Sequence, residues 1–115
     1  MSNLDWAAGF FEGEGTVRIN KGRISSPWAF GLQVGNSDIE VLKKFQEAVF
    51  GFGTIYGPYR PYGNLTKKEY YVWSCNRRIE VQKIKDVLYP LLSKRRKKQI
   101  DDAIETICAH RLACA

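Results

Sequence analysis

The stretch from Trp6 to Gly15, W-A-A-G-F-F-E-G-E-G, constrains the fold more than any other part of the chain. Ser2, with Asp5 three residues on, makes a capping box. Leu4, Ala7, Ala8 and Phe11 then recur at helical spacing. Gly13 and Gly15 are expected to end that helix, because glycine supplies the positive φ that a helix C-terminus often needs. Thr16 to Asn20 follows at once with the period of a strand, Val17 and Ile19 facing in and Thr16, Arg18 and Asn20 facing out. A helix must therefore pass directly into a strand, with Glu12 and Glu14 at the junction. Carboxylates there meet the negative end of the helix dipole, so something else has to favour them, and a bound divalent cation would do so. Gly9 and Gly13 stand one turn apart and would let a second backbone come close.

The rest of the chain continues the pattern. Lys21 to Pro27 is a polar turn. Trp28, Phe30, Leu32 and Val34 alternate with Ala29, Gly31 and Gln33, which gives a half-buried strand. Ser37 and Glu40 make a second capping box, before a helix that buries Ile39, Leu42, Phe45 and Val49 and ends at Gly51. Thr54 to Tyr56 is a short third strand, and the turn-rich Gly57 to Asn64 is a loop. Lys67 to Cys75 is a fourth strand with Tyr71, Trp73 and Cys75 on one face. Asn76 is the expected cap of a third helix through Val81, Ile84 and Leu88. After Pro90 a last helix carries Ile100, Ile104, Ile107 and Leu112. The order α-β-β-α-β-β-α-α implies an α+β fold, a four-stranded antiparallel sheet backed by helices. At 115 residues, 1–115 reads as a single domain.

Charge narrows the partner. A net charge of +6 points to a polyanion. Cys75, Cys108 and Cys114 have no metal-ligand spacing, and their odd number argues against a disulfide framework. His110 cannot make a zinc site alone. No apolar run approaches membrane-spanning length and no signal-peptide pattern is present, so an intracellular protein with no membrane partner is expected.

Ala7 to Gly15 (A-A-G-F-F-E-G-E-G) resembles, position by position, the nine-residue signature of the LAGLIDADG homing endonucleases. Ala7 replaces the usual leucine, and glutamate replaces aspartate at both acidic positions. The element order also matches that family, in which the two β-hairpins form a saddle along the DNA major groove. The resemblance implies a site-specific endonuclease that hydrolyses phosphodiesters of double-stranded DNA with Mg²⁺. It places the metal ligand at Glu14, assisted by the Gly13 carbonyl, and makes Glu12 more structural than catalytic. A single motif implies a homodimer, with Gly9 and Gly13 in the helix contact and a near-palindromic target. A mobile-element context such as intron homing is implied with it.

Further residues follow the same pattern. Lys94 to Lys98 puts five cations at a helix start, which opposes the dipole unless phosphate is near. The resemblance assigns charge stabilisation at the scissile phosphate to Arg95 or Arg96. It gives Asn36 a role in positioning water near the metal, although Asn36 could equally help cap the helix that follows. Thr16, Arg18, Asn20, Gln33, Tyr56, Tyr70 and Ser74 lie on outward strand faces and are candidates for the major groove. Lys21, Arg23, Arg60, Lys67 and Lys68 lie in turns or at strand ends, where phosphate contacts are expected. Tyr59 and Tyr62 could pack on the sugar-phosphate backbone or simply close the loop. The alternative is a non-cleaving nucleic-acid-binding protein of the same fold, either a DNA-binding regulator or a splicing maturase with intron RNA as its partner.

Overall fold

The computed structural model describes the backbone of residues 3–20, 29–60 and 68–114, and the side chains of those stretches apart from 20, 29 and 110–114. The elements run α1 (Asn3–Glu14), β1 (Gly15–Asn20), β2 (Ala29–Asn36), α2 (Ile39–Ala48), β3 (Thr54–Tyr59), β4 (Tyr70–Cys75), α3 (Arg78–Leu88), a short 3₁₀ turn (Tyr89–Leu91) and α4 (Lys94–Cys114). The four strands form one antiparallel sheet in the order β1-β2-β4-β3. This is the α+β architecture that the period changes along the chain imply. No helix among the described residues is long and apolar enough to cross a membrane.

The helices cover one face of the sheet. Ala7, Ala8 and Phe11 of α1, Leu42 and Phe45 of α2, Val81, Ile84 and Leu88 of α3, and Ile100 of α4 bury against Leu32, Val34, Trp73 and Cys75. Trp73 sits at the centre. Its ring meets Phe45 edge-on at 4.9 Å and its indole N–H donates to the Phe52 carbonyl at 2.9 Å, so its one polar atom is satisfied. Ile19 was expected to face in, yet it is 40 % exposed. It lies on an edge strand, where only a groove against α4 receives it.

Several element ends differ from their sequence expectations. Gly13 lies inside α1, and β1 begins at Gly15. The cap of α2 is Asp38, not Ser37. Its Oδ1 accepts from the Glu40 amide at 2.9 Å, after Asn36 Oδ1 has accepted from the Asp38 amide at 2.8 Å. These two successive side-chain turns move the helix start one residue on. At the other end of α2 the left-handed residue is Phe50 (φ 66°), followed by Gly51 (φ 74°) whose amide returns to the Gln46 carbonyl at 2.8 Å. That is a Schellman closure with phenylalanine where glycine is usual.

Strand β3 continues through Pro58 to Tyr59 where a loop was expected, with irregular pairing between Tyr56 and Tyr59. Proline fits there because β3 is an edge strand. Strand β4 starts at Tyr70, not Lys67. Arg77, not Asn76, precedes α3, and Asn76 Nδ2 donates instead to Ser74 Oγ at 3.3 Å. In α4, Ala103 joins Ile100 and Ile107 in the buried stripe, and Ile104 is half-buried. The side chain of Leu112, together with Ser2, Trp28 and Tyr62, lies outside the described residues.

Candidate nucleic-acid interface and catalytic end of helix α1

Two carboxylates on one helix turn meet opposite surroundings. Glu12 turns toward α4. Its carboxylate accepts from the Ser93 amide at 2.8 Å and the Ser93 hydroxyl at 2.9 Å, with Arg95 Nη2 at 3.5 Å and Arg96 Nε at 3.9 Å. The Ser93 amide, more than any other group, holds the Glu12 carboxyl below the usual carboxylate range, opposed by desolvation and aided by the Ser93 hydroxyl and the two arginines. Glu14, the last residue of α1, is exposed and forms no hydrogen bond or ion pair with any described residue.

The cationic run splits in the same way. The Arg96 side chain is buried, with the whole residue 7 % exposed, and donates from Nε (3.1 Å) and Nη2 (3.0 Å) to the Glu12 carbonyl and from Nη1 to Gln99 (2.9 Å). Its guanidinium lies 5.7 Å from the Phe11 ring. The Arg95 side chain is 64 % exposed and touches Glu12 only loosely. Lys98 is held by Asp102 at 3.0 Å. Lys97 lies near the Tyr89 ring.

Asn36 is the last residue of β2. Gly15 pairs with Val34, so the register carries Asn36 past the start of β1, toward the end of the sheet where α1 delivers Glu14. Its side chain accepts from the Asp38 amide in the turn that leads into α2, whose cap is Asp38.

The outer face of the sheet collects most of the remaining candidates. Thr16, Gln33, Ser74 and Thr54 pair in succession and make one row across all four strands. Arg18, Gln33, Tyr56, Tyr70 and Ser74 line one shallow concavity with Tyr59 and Val72. Arg18 Nη1 donates to Gln33 Oε1 at 2.8 Å, and the Tyr59 and Tyr70 rings stand 5.5 Å apart. Arg60 pairs with Glu69 at 3.2 Å and Lys68 is exposed. Lys21, Arg23 and Lys67 lie outside the described residues, as does the side chain of Asn20.

No family sequence model and no curated protein sequence matches the chain. Solved structures do. The homing endonuclease I-TnaI superposes with a TM-score of 0.70 at 17 % identity, over 91 % of this chain and 71 % of that one. LAGLIDADG homing endonuclease I-GzeII in complex with its DNA target gives 0.67 at 14 %, over 93 % and 35 %. The group I intron-encoded homing endonuclease I-CeuI, also complexed with DNA, gives 0.67 at 16 %, over 91 % and 53 %. This chain has the LAGLIDADG homing-endonuclease fold. It spans between about a third and under three-quarters of the length of those three proteins.

Helix α1 thus presents, at the end of the sheet, a carboxylate that has no partner among the described residues. No group of three or more metal-ligating side chains exists among the described residues. The donor chemistry of Glu14 still fits a hard divalent cation, because one or two carboxylates with phosphate oxygens and water form an ordinary Mg²⁺ shell. Gly9 and Gly13 fit the other part of the expectation. A Cβ at either would meet nothing within 4 Å, so no described part of this chain uses the closeness those glycines permit.

The Glu12–Ser93–Arg96 junction escaped the sequence reading. A serine three residues before Arg96 is a capping signal in itself: the Ser93 hydroxyl accepts from the Arg96 amide at 3.2 Å. Nothing in the order of residues says that its partner lies 81 positions away.

Proposed function

We propose that the protein is a divalent-metal-dependent, site-specific endonuclease of double-stranded DNA, acting as a homodimer on a near-palindromic target. The observation that carries this reading is the exposed Glu14 at the C-terminus of α1, unpaired among the described residues and two residues beyond a glutamate that is fully engaged. The fold shared with DNA-complexed homing endonucleases supports it.

In this reading Glu14, with the Gly13 carbonyl, would hold Mg²⁺. When bound, the cation would supply Lewis-acid chemistry for phosphodiester hydrolysis. The rest belongs to side chains of this chain. Arg95, with its exposed guanidinium, stabilises charge on the phosphate, since Arg96 is committed to Glu12. Asn36 orients water at the open end of β2. Arg18 and Gln33 read base edges in the major groove, with Thr16, Asn20, Tyr56, Tyr70 and Ser74 beside them. Lys21, Arg23, Arg60, Lys67 and Lys68 hold the phosphate backbone.

One chain supplies one such carboxylate. A second copy packed along Gly9 and Gly13 brings a second Glu14, one for each DNA strand, which makes the contact isologous. The test uses a DNA target recovered by selection. Glu14→Gln is expected to slow Mg²⁺-dependent cutting by on the order of 10³-fold while leaving the Kd for the same DNA within about threefold. Cutting at the parent rate by Glu14→Gln would remove Glu14 from the chemistry.

A further inference from the structure

We infer that Glu12 and Arg96 form a clamp that positions Glu14, and that Arg96 acts through this clamp instead of touching DNA. The inference rests on the reading of Glu14 as the metal ligand.

The clamp is reciprocal. The last turn of α1 has no basic residue of its own, and the first turn of α4 has no acidic one. Each helix end takes the missing charge from the other. Arg96 puts its guanidinium at the negative end of α1, and Glu12 puts its carboxylate at the positive end of α4. The two charges that each helix places badly by itself are placed well by the pair.

The clamp also fixes where α1 stops. In a continuing helix the Glu12 carbonyl would accept from the amide four residues on, that of Thr16. Thr16 instead belongs to β1 and pairs with Gln33. The forked guanidinium of Arg96 takes the place of that amide on the Glu12 carbonyl, with two donors at 3.1 and 3.0 Å. Glu14 therefore stands as the final helical residue, and Gly15 opens the strand. Phe11 closes the junction from beneath, since its ring and carbonyl occupy the space that a Cβ on Gly15 would need. A swing of Arg96 toward phosphate would take its donors away from the Glu12 carbonyl and Gln99 Oε1, so it is opposed.

The test compares Arg96→Lys and Glu12→Gln with the parent protein, by two readouts. Lysine keeps the charge but cannot fork across a carbonyl. Glutamine keeps an acceptor for Ser93 but loses the charge, so the pair remains informative if one variant folds poorly. In the free protein, amide exchange at Gly13, Glu14 and Gly15 is expected to quicken about tenfold while that of Trp73 stays unchanged. On a selected DNA target, single-turnover cutting is expected to slow by about 10- to 100-fold with Kd within about threefold, and the Mg²⁺ concentration for half-maximal rate to rise.

Parent-like exchange at the α1–β1 junction, or parent-like rate and Mg²⁺ dependence in both variants, overturns the clamp. A loss of DNA affinity in Arg96→Lys that exceeds its loss of rate also overturns it, in favour of a direct phosphate contact. If Glu14→Gln cuts like the parent, the metal-ligand reading has failed instead, and the exchange data alone then decide whether the junction is clamped.

Discussion

At the scale of single residues, environment separates groups that the sequence leaves equivalent. Glu12 and Glu14 are the same residue type on one helix turn, yet among the described residues only Glu12 has its negative charge answered. Because the Glu12 carboxyl is held below its ordinary range, its ionised form favours the folded chain. That stabilisation is present above the unfolded-state value and is lost as pH falls through the lower folded value. Denaturant unfolding of Glu12→Gln, followed against pH, is therefore expected to show a shallower acid limb than the parent. Cys75 gives a second case. Burial, with Glu80 nearby, pushes its thiol up to about 11, so it stays protonated at neutral pH. A thiol reagent is expected to modify the exposed Cys108 in the native protein and to reach Cys75 only on unfolding. Gly15→Ala is expected to destabilise by about 1–3 kcal/mol in thermal or denaturant unfolding, because the added methyl meets Phe11.

At the scale of elements, the period of apolar residues was enough to place all four helices and four strands. Val81, Ile84 and Leu88 repeat at helical spacing and are buried together, and Leu32 and Val34 alternate as a half-buried strand must. Helix and strand ends were less legible, since they depend on competition between neighbouring caps. Asp38 displaced Ser37 because Asn36 had already bent the chain, and Phe50 took a left-handed position next to an available glycine. Charge near the helix ends, taken locally, calls for outside partners, a cation for Glu12 and Glu14 and phosphate for the basic run. Part of that need is met internally by the Glu12–Arg96 contact, which no local pattern announces. Core packing offers a direct check on the element layout. Ile84→Ala removes a side chain with no exposed surface between α3 and the sheet, and is expected to cost about 2–5 kcal/mol in denaturant unfolding.

At the scale of the whole molecule, one chain offers an open sheet face with polar and aromatic side chains, a basic balance of charge and the exposed Glu14 carboxylate at the end of α1. A Cβ at Gly9 would meet no described atom within 4 Å, so circular dichroism and melting of Gly9→Leu are expected to stay near the parent's. For the proposed homodimeric nuclease, sedimentation of this variant is expected to shift from dimer to monomer, with cutting lost. The central claim, a dimeric metal-dependent nuclease, is tested most directly by a cleavage selection. The purified protein is given Mg²⁺ and a randomised library of long double-stranded DNA, and the cut ends are sequenced. Near-palindromic sites cut on both strands at symmetric positions are the expected result. A site enriched by binding and never cut, with or without Mg²⁺, would contradict the claim and leave a nucleic-acid-binding protein on the same fold.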